Sequence, residues 1–383
     1  MKPFDVYPLF DIEPVKAQGS YLWDKKGVKY LDLYGGHAVI SIGHCHPYYM
    51  EKLTQQLNAI GFYSNSVRIP LQDELAQKLG EQSGYNDYDL FLCNSGAEAN
   101  ENALKLASFH TGRKRIIAFG KSFHGRTSLA VASTDDKSII APVNAVHDIT
   151  FLPFNDETML EEYLNAEVCA VIIEGIQGVG GVNVPDASFL KKAETLCKKN
   201  GIVLILDEVQ SGYGRSGEFF AHQHAGVKPG LITVAKGMGN GFPVGGVLIS
   251  PEFKAKHGML GTTFGGNYLA CAAGIAVLDV IKKENLVENA GKVGNYIIQK
   301  AKEIEGVKEV RGLGLMIGIE LEGPGAPVRT ELLNKHRIFT GSASQKNTLR
   351  ILPALNITNA EADIFLEAFN KVMTEVNVKS VQS

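Results

Sequence analysis

The chain has 383 residues, 45% of them hydrophobic and 21% charged, with a formal net charge of −3. That length and apolar content support two or three domain-sized cores, and the near-neutral balance excludes the electrostatic footprint of a nucleic-acid or anionic-membrane partner. No apolar run approaches the roughly 20 residues a membrane-spanning helix needs, and residues 1–14 lack a basic then apolar leader, so the expected compartment is the cytoplasm. The cysteines at 45, 93, 169, 197 and 271 form no C-x-x-C pair and read as free thiols. His44-Cys45-His46 lacks two further ligands at sensible spacing and reads as a turn rather than a metal site.

In chain order, residues 21–33 predict a short antiparallel hairpin turning at Asp24-Lys25-Lys26-Gly27. Residues 71–79 predict an amphipathic helix, 89–93 a strand, 97–109 a helix and 115–119 a strand. A strand comes next over 169–174, then a helix over 187–199 that starts near Asp186 or Ser188. Strands are expected over 202–206, 231–235 and 244–249. Several of these runs are apolar at successive positions, which fits strands covered on both faces of a parallel or mixed sheet. Beyond 268 the pattern predicts helices over 268–283 and 286–304, strands over 307–313 and 315–321, a helix, a strand over 348–351 and a last helix over 359–376. The expected division is a large domain, 61–269, and a smaller α+β domain from both chain ends, 1–60 with 270–383.

In an open α/β sheet, ligands bind beyond the carboxyl ends of the strands. The run 89–93 is followed by Asn94-Ser95-Gly96-Ala97, 170–173 by Glu174, 202–206 by Asp207, and 231–235 by Lys236. A small-residue turn, an acid and a lysine therefore converge at one rim. Pyridoxal phosphate chemistry asks for this set. The lysine forms a Schiff base with the aldehyde, and the acid keeps the ring nitrogen protonated so that the ring can accept electrons. The turn entering a helix offers N–H groups to the phosphate. Singly, each feature has a plainer reading: a capping acid, a surface lysine, an N-cap. Together, on successive strands, they do not.

The sequence resembles the class III (ω-amino-acid) pyridoxal phosphate aminotransferases from about residue 7 to 376, most closely the acetylornithine branch. The matching motifs are Tyr34-Gly35-Gly36-His37-Ala38-Val39, Gly43-His44-Cys45-His46-Pro47, Asn94-Ser95-Gly96-Ala97-Glu98-Ala99-Asn100, Ser122-Phe123-His124-Gly125-Arg126-Thr127, Leu206-Asp207-Glu208-Val209-Gln210-Ser211-Gly212, Ala235-Lys236-Gly237 and Thr262-Thr263-Phe264-Gly265-Gly266-Asn267. The resemblance implies the type I fold of pyridoxal-phosphate-dependent transferases: a large mixed sheet flanked by helices, plus a smaller α+β unit.

It further implies that Lys236 carries the cofactor, Asp207 pairs with the ring nitrogen, Gln210 meets the ring hydroxyl and Phe123 stacks on the ring. Ser95, Gly96 and Ala97 would hold the phosphate, and Thr263 would reach the phosphate of a neighbouring subunit, which implies a homodimer. On the substrate side, Arg126 would grip the α-carboxylate of the amino donor or the distal carboxylate of 2-oxoglutarate. Arg350 would grip the α-carboxylate of 2-oxoglutarate or glutamate, a task suited to a planar fork. Glu174 resembles an active-site acid near the ring and Gln210.

One departure stands out. The family usually shows Glu-Pro-x-Gln-Gly-Glu where this chain has Glu174-Gly175-Ile176-Gln177-Gly178-Val179. The second glutamate is associated with neutralising the Arg350-type guanidinium, which Val179 cannot do. A donor with its own negative group there, such as N-succinylornithine, is the expectation.

The implied reaction moves the δ-amino group of N-acetylornithine or N-succinylornithine to 2-oxoglutarate, in arginine biosynthesis. Ornithine, 4-aminobutyrate or diaminopelargonate are alternative substrates on the same fold. A nicotinamide-dependent dehydrogenase would need Gly-x-Gly-x-x-Gly after the first strand, and residues 94–100 lack that spacing. A catalytically dead binding protein would have little reason to keep Lys236, Asp207 and Arg126 together.

Overall fold

The computed structural model describes residues 1–381. Its centre is a seven-stranded sheet whose strands, in chain order, are β1 (Asp89–Cys93), β2 (Arg115–Phe119), β3 (Ile149–Leu152), β4 (Val168–Glu174), β5 (Val203–Asp207), β6 (Leu231–Val234) and β7 (Gly245–Ile249). Their spatial order is β1-β7-β6-β5-β4-β2-β3. Only β7 runs antiparallel to its neighbours, so the other six strands point their carboxyl ends to one edge.

The period-two alternation of strand side chains builds a core on each face. Ile116, Ala118, Ala170, Ile172, Val203 and Ile205 pack with Ala99, Ala103, Leu104 and Ala107 of helix Gly96–Thr111. Ile117, Phe119, Val171, Ile173, Leu204 and Leu206 pack with Phe189, Leu190, Ala193 and Cys197 of helix Ala187–Asn200. Burying each large side chain contributes roughly 1.5–3 kcal/mol, and strands covered on both sides need the unbroken apolar runs seen in the sequence.

The expected hairpin is present as Tyr21–Asp24 paired antiparallel with Lys29–Asp32. It gains an upstream strand, Pro14–Gln18, whose side chains are mostly exposed and give no periodic signal. Ile338–Phe339 joins the same sheet parallel to Lys29–Asp32, which brings the two ends of the chain together. A third sheet has the order Val307–Leu313, Met316–Leu321, Thr348–Ile351, Gly341–Ser342. Helix Tyr268–Lys283 packs on helices Pro47–Ala59 and Pro70–Ser83. His44 and His46 each pair with an acid, Asp32 and Glu284, at 2.9 Å.

Candidate active site

Register does the first part of the assembly. Glu174, Asp207 and Thr233 are neighbours across β4, β5 and β6. Just past the strand ends lies a cavity of about 370 Å³. Ser95, Gly96, Ala97, Phe123, Arg126, Glu174, Val179, Asp207, Gln210 and Lys236 all line it.

Lys236 starts the turn Lys236–Met238 after β6 and holds a left-handed φ of 46°. A non-glycine residue there carries strain of about 1–2 kcal/mol, which surrounding structure must hold. Ser41 Oγ donates to Gly237 O at 2.7 Å, and Asn240 Oδ1 accepts from Ser41 N at 2.8 Å and Ile42 N at 3.1 Å. Burial pushes the Lys236 ammonium down to about 8; Arg350 and Arg215 add to this, while Asp207 and Glu174 oppose it.

Asp207 is 4% exposed, and both of its oxygens are held. Its Oδ2 accepts from Asn100 Nδ2 and meets His124 Nδ1, both at 2.7 Å, and its Oδ1 accepts from Val209 N at 3.0 Å. Asn100 is held by Thr233, whose Oγ1 donates to Asn100 Oδ1 at 2.7 Å. The sequence alone assigns no role to Asn100 or His124. A signal for Asn100 exists: it is a polar residue on a helix face otherwise buried as Ala99, Ala103 and Ala107.

Glu174 Oε1 accepts from Phe123 N at 3.0 Å and Oε2 from Gly178 N at 2.9 Å. Burial, with Asp207 adding, raises its carboxyl to about 7, against the lowering pull of His124 and the two N–H groups. Gln210 donates to His37 O at 3.1 Å and accepts from Arg350 Nη1 at 3.2 Å. Arg350 is therefore buried behind Gln210 rather than on the cavity wall, whereas Arg126 is exposed at the cavity mouth.

The turn after β1 is built as an N-cap. Ser95 Oγ accepts from Glu98 N at 3.2 Å, and Glu98 Oε2 reaches back one residue further to accept from Asn94 N at 2.8 Å. A Cβ on Gly96 would come within 2.6 Å of Val209 Cγ1, and one on Gly125 within 2.8 Å of Ala97 Cβ. The backbone is thus packed as closely as a phosphate cradle requires.

These residues fit pyridoxal phosphate. An amine of lowered basicity, a fixed carboxylate and a bare-backbone helix start open on one cavity, and His124 Nε2 is buried in its lining without a hydrogen-bond partner among the described residues. Thr263 stands outside this wall. The adjoining Thr262 Oγ1 accepts from Asn94 Nδ2 at 3.2 Å, which ties that loop to the turn leading into Ser95–Ala97.

The family profile of the class III aminotransferases matches residues 5–373. An acetylornithine aminotransferase of Bacillus cereus is 41% identical over 387 residues, covering 99% of both chains. The crystal structure of an acetylornithine aminotransferase from Elizabethkingia anophelis has a TM-score of 0.85 and 31% identity over 97% of this chain and 96% of that one. An ornithine aminotransferase from Toxoplasma gondii, with partial occupancy of PLP at its active site, has a TM-score of 0.90 and 28% identity over 98% of this chain and 93% of that one. Every residue of the cavity wall falls inside the matched span, and on that ground the chain belongs to the class III aminotransferases.

Proposed function

We propose that the protein transfers the δ-amino group of an N-acylornithine, N-acetylornithine or N-succinylornithine, to 2-oxoglutarate, using pyridoxal phosphate. The products are an N-acylglutamate 5-semialdehyde and glutamate, and the place of the reaction is arginine biosynthesis. The observation that carries this reading is Lys236, deprotonated far more readily than a free lysine, sharing one cavity with Asp207, the Ser95–Ala97 turn and Arg126. The likeness to acetylornithine aminotransferases over nearly the whole chain supports the donor class.

Pyridoxal phosphate, when bound, supplies the aldehyde that holds the amino group in transit and a ring that takes up the charge left as the δ-carbon loses its proton. Lys236 Nζ acts as general base and acid, taking that proton from the δ-carbon and returning one during the transfer. Asp207 would hold a proton on the ring nitrogen, and Asn100 and His124 fix its carboxylate. Ser95, Gly96 and Ala97 would hold the phosphate, Phe123 would cover the ring face and Gln210 would meet the ring hydroxyl. Arg126 receives the donor's α-carboxylate and then the distal carboxylate of 2-oxoglutarate, while Arg350 receives the α-carboxylate of 2-oxoglutarate. Glu174 would serve as the active-site acid near the ring and Gln210.

We assign the working form as a cytoplasmic homodimer in which Thr263 reaches the partner's phosphate site. No described helix is long and apolar enough to cross a membrane. An absorbance spectrum of the purified protein tests the cofactor assignment: a visible band is expected, and it is lost in Lys236→Ala. A colourless wild-type protein that takes up no pyridoxal phosphate refutes it.

A further inference from the structure

Arg126 lines the mouth of the cavity and is exposed, and no hydrogen bond or ion pair among the described residues holds its guanidinium. Where that group can reach is therefore set by its backbone. The backbone is clamped on both sides, and the clamps come from one element, helix Gly96–Thr111. On the amino side, Asn100 Nδ2 donates to His124 O at 2.7 Å. Gly125, with a φ of 137°, lies so close to Ala97 that a Cβ on it would come within 2.8 Å of Ala97 Cβ. On the carboxyl side, Glu101 Oε1 accepts three hydrogen bonds: from Thr127 Oγ1 at 2.7 Å, Leu129 N at 2.6 Å and Ala130 N at 2.9 Å. Ala97 and Glu101 stand four residues apart, so they share one face of the helix.

The bonds to Glu101 answer a local need. The short helix Ser128–Ala132 starts two residues after Arg126, and its first N–H groups have no partner within the helix. A threonine at the N-cap ordinarily accepts from them through its own hydroxyl; Thr127 makes no such bond. Its hydroxyl donates to Glu101 instead, and Glu101 takes the N–H groups of Leu129 and Ala130. The cap is thus supplied from another helix and by a charged acceptor, which makes each bond stronger than a neutral one. Thr134 closes the segment from within, since its Oγ1 accepts from His124 N at 2.9 Å and donates to Ala130 O at 3.0 Å. Residues 124–134 therefore form one bonded piece, and Glu101 anchors it to helix Gly96–Thr111 on the carboxyl side of Arg126.

We infer that Glu101 is a positioning residue for the substrates' carboxylates: through Thr127 and the start of the short helix, it fixes Arg126 relative to the Ser95–Ala97 turn. This role rests on the proposed assignments of Ser95–Ala97 to the cofactor phosphate and of Arg126 to the substrate carboxylates. From Ala97 to Glu101 the helix rises about 6 Å. About one helical turn thus spaces the phosphate anchor from the arginine anchor. A substrate must meet both at once, with its reacting carbon at the cofactor and its carboxylate at Arg126. A misplacement of about 1 Å in such an arrangement costs about a hundredfold.

The test is kinetics of the holoenzyme with 2-oxoglutarate and whichever of N-acetylornithine and N-succinylornithine the wild type turns over faster. The first half-reaction with n-butylamine, a primary amine without a carboxylate, is followed beside it as loss of the visible band. Glu101→Ala is expected to raise KM for both carboxylate substrates by about tenfold to a hundredfold, with kcat within about threefold of wild type. The rate with n-butylamine is expected to stay unchanged, which a general weakening of the fold would not allow. Glu101→Gln keeps an oxygen that can accept, and it is expected to bring KM back to within about threefold of wild type. Should Glu101→Ala fail to fold, Thr127→Val, at an exposed position, removes one of the three bonds and is expected to raise KM by about threefold to tenfold. An unmoved KM in the folded variant, or an equal slowing with n-butylamine, overturns the positioning role. Arg126→Gln tests the assignment beneath it. If that variant leaves KM unmoved for both substrates, the carboxylate role of Arg126 falls and the role of Glu101 with it. A raised KM in Arg126→Gln beside an unmoved KM in Glu101→Ala removes the role of Glu101 alone.

Discussion

Lys236 owes its chemistry to where burial has put its proton. Its ammonium titrates near 8 instead of 10.5, so the neutral, nucleophilic amine becomes the major form just above physiological pH. Cofactor-free protein is therefore expected to take up pyridoxal phosphate at a rate that rises with pH through a midpoint near 8, followed by visible absorbance; a midpoint near 10.5 would contradict the assignment. The same shift has a stability consequence. Between about 8 and 10.5 the unfolded chain binds the proton that the folded one has released, so this group's contribution to stability rises with pH in that window. Glu174 acts in the opposite sense. Its carboxyl is raised from 4.5 to about 7, the unfolded chain loses the proton first, and its contribution falls as pH rises through that interval. Asn100 supplies a further test at this scale. Asn100→Ala leaves Asp207 Oδ2 and Thr233 Oγ1 each one partner short in a buried network, at an expected cost of about 1–3 kcal/mol in thermal unfolding, together with loss of activity. The residue identities of Lys236, Asp207 and Arg126 were legible because each comes after an apolar run or sits in a distinctive motif. Asn100 and His124 were not, because their partner is a carboxylate more than eighty positions away.

The strand-to-turn junctions were the most legible elements. Apolar runs on β4, β5 and β6 mark their own carboxyl ends, since a strand buried on both faces admits a charge only at its last residue, as at Glu174 and Asp207, or just beyond it, as at Lys236. The strand β3 lacked that signal: of its four residues only Leu152 is fully buried. The turn at residues 35–38 was equally silent. Its four successive φ values are all positive, including 68° at His37 and 63° at Ala38, a conformation that packing imposes against intrinsic preference. The helix start at Ser95 and Gly96 is where element geometry meets function. Gly96→Ala forces a methyl into Val209 or pushes the turn outward, with an expected loss of about 1–3 kcal/mol in urea unfolding and weaker retention of pyridoxal phosphate on dialysis. Unchanged stability together with unchanged cofactor retention would show that the close approach there has no bearing on binding.

Across the whole molecule, contacts between distant segments complete the site. Arg215, 2% exposed, donates to Leu315 O at 3.2 Å, Pro353 O at 2.7 Å and Ile40 O at 3.4 Å, joining the loop after β5 to three segments from both chain ends. We propose that 1–60 with 270–383 form one unit and 61–269 the other, with Arg215 at their seam. An apolar patch formed by Phe62, Tyr63 and Phe264, which are 45%, 54% and 60% exposed, adjoins the loop carrying Thr263. In the proposed homodimer this patch is covered. Phe264→Glu is expected to shift the protein from dimer to monomer in light scattering and to lower cofactor retention; a variant that stays dimeric and fully active would place the interface elsewhere. That Lys236, Asp207 and the Ser95–Ala97 turn meet at the strand ends could be read from the residues alone, because local apolar periodicity and chain order set which side chain emerges at the end of each buried strand. The residues alone could not show that Asp207 faces the cavity while the adjacent Glu208 turns inward to hold Ser211, Ala221 and His222. Nor could they show that Arg329 hangs from the same short segment as Arg350. Those arrangements belong to the folded molecule, because the orientation of a charged side chain is set by partners that the fold brings from far along the chain.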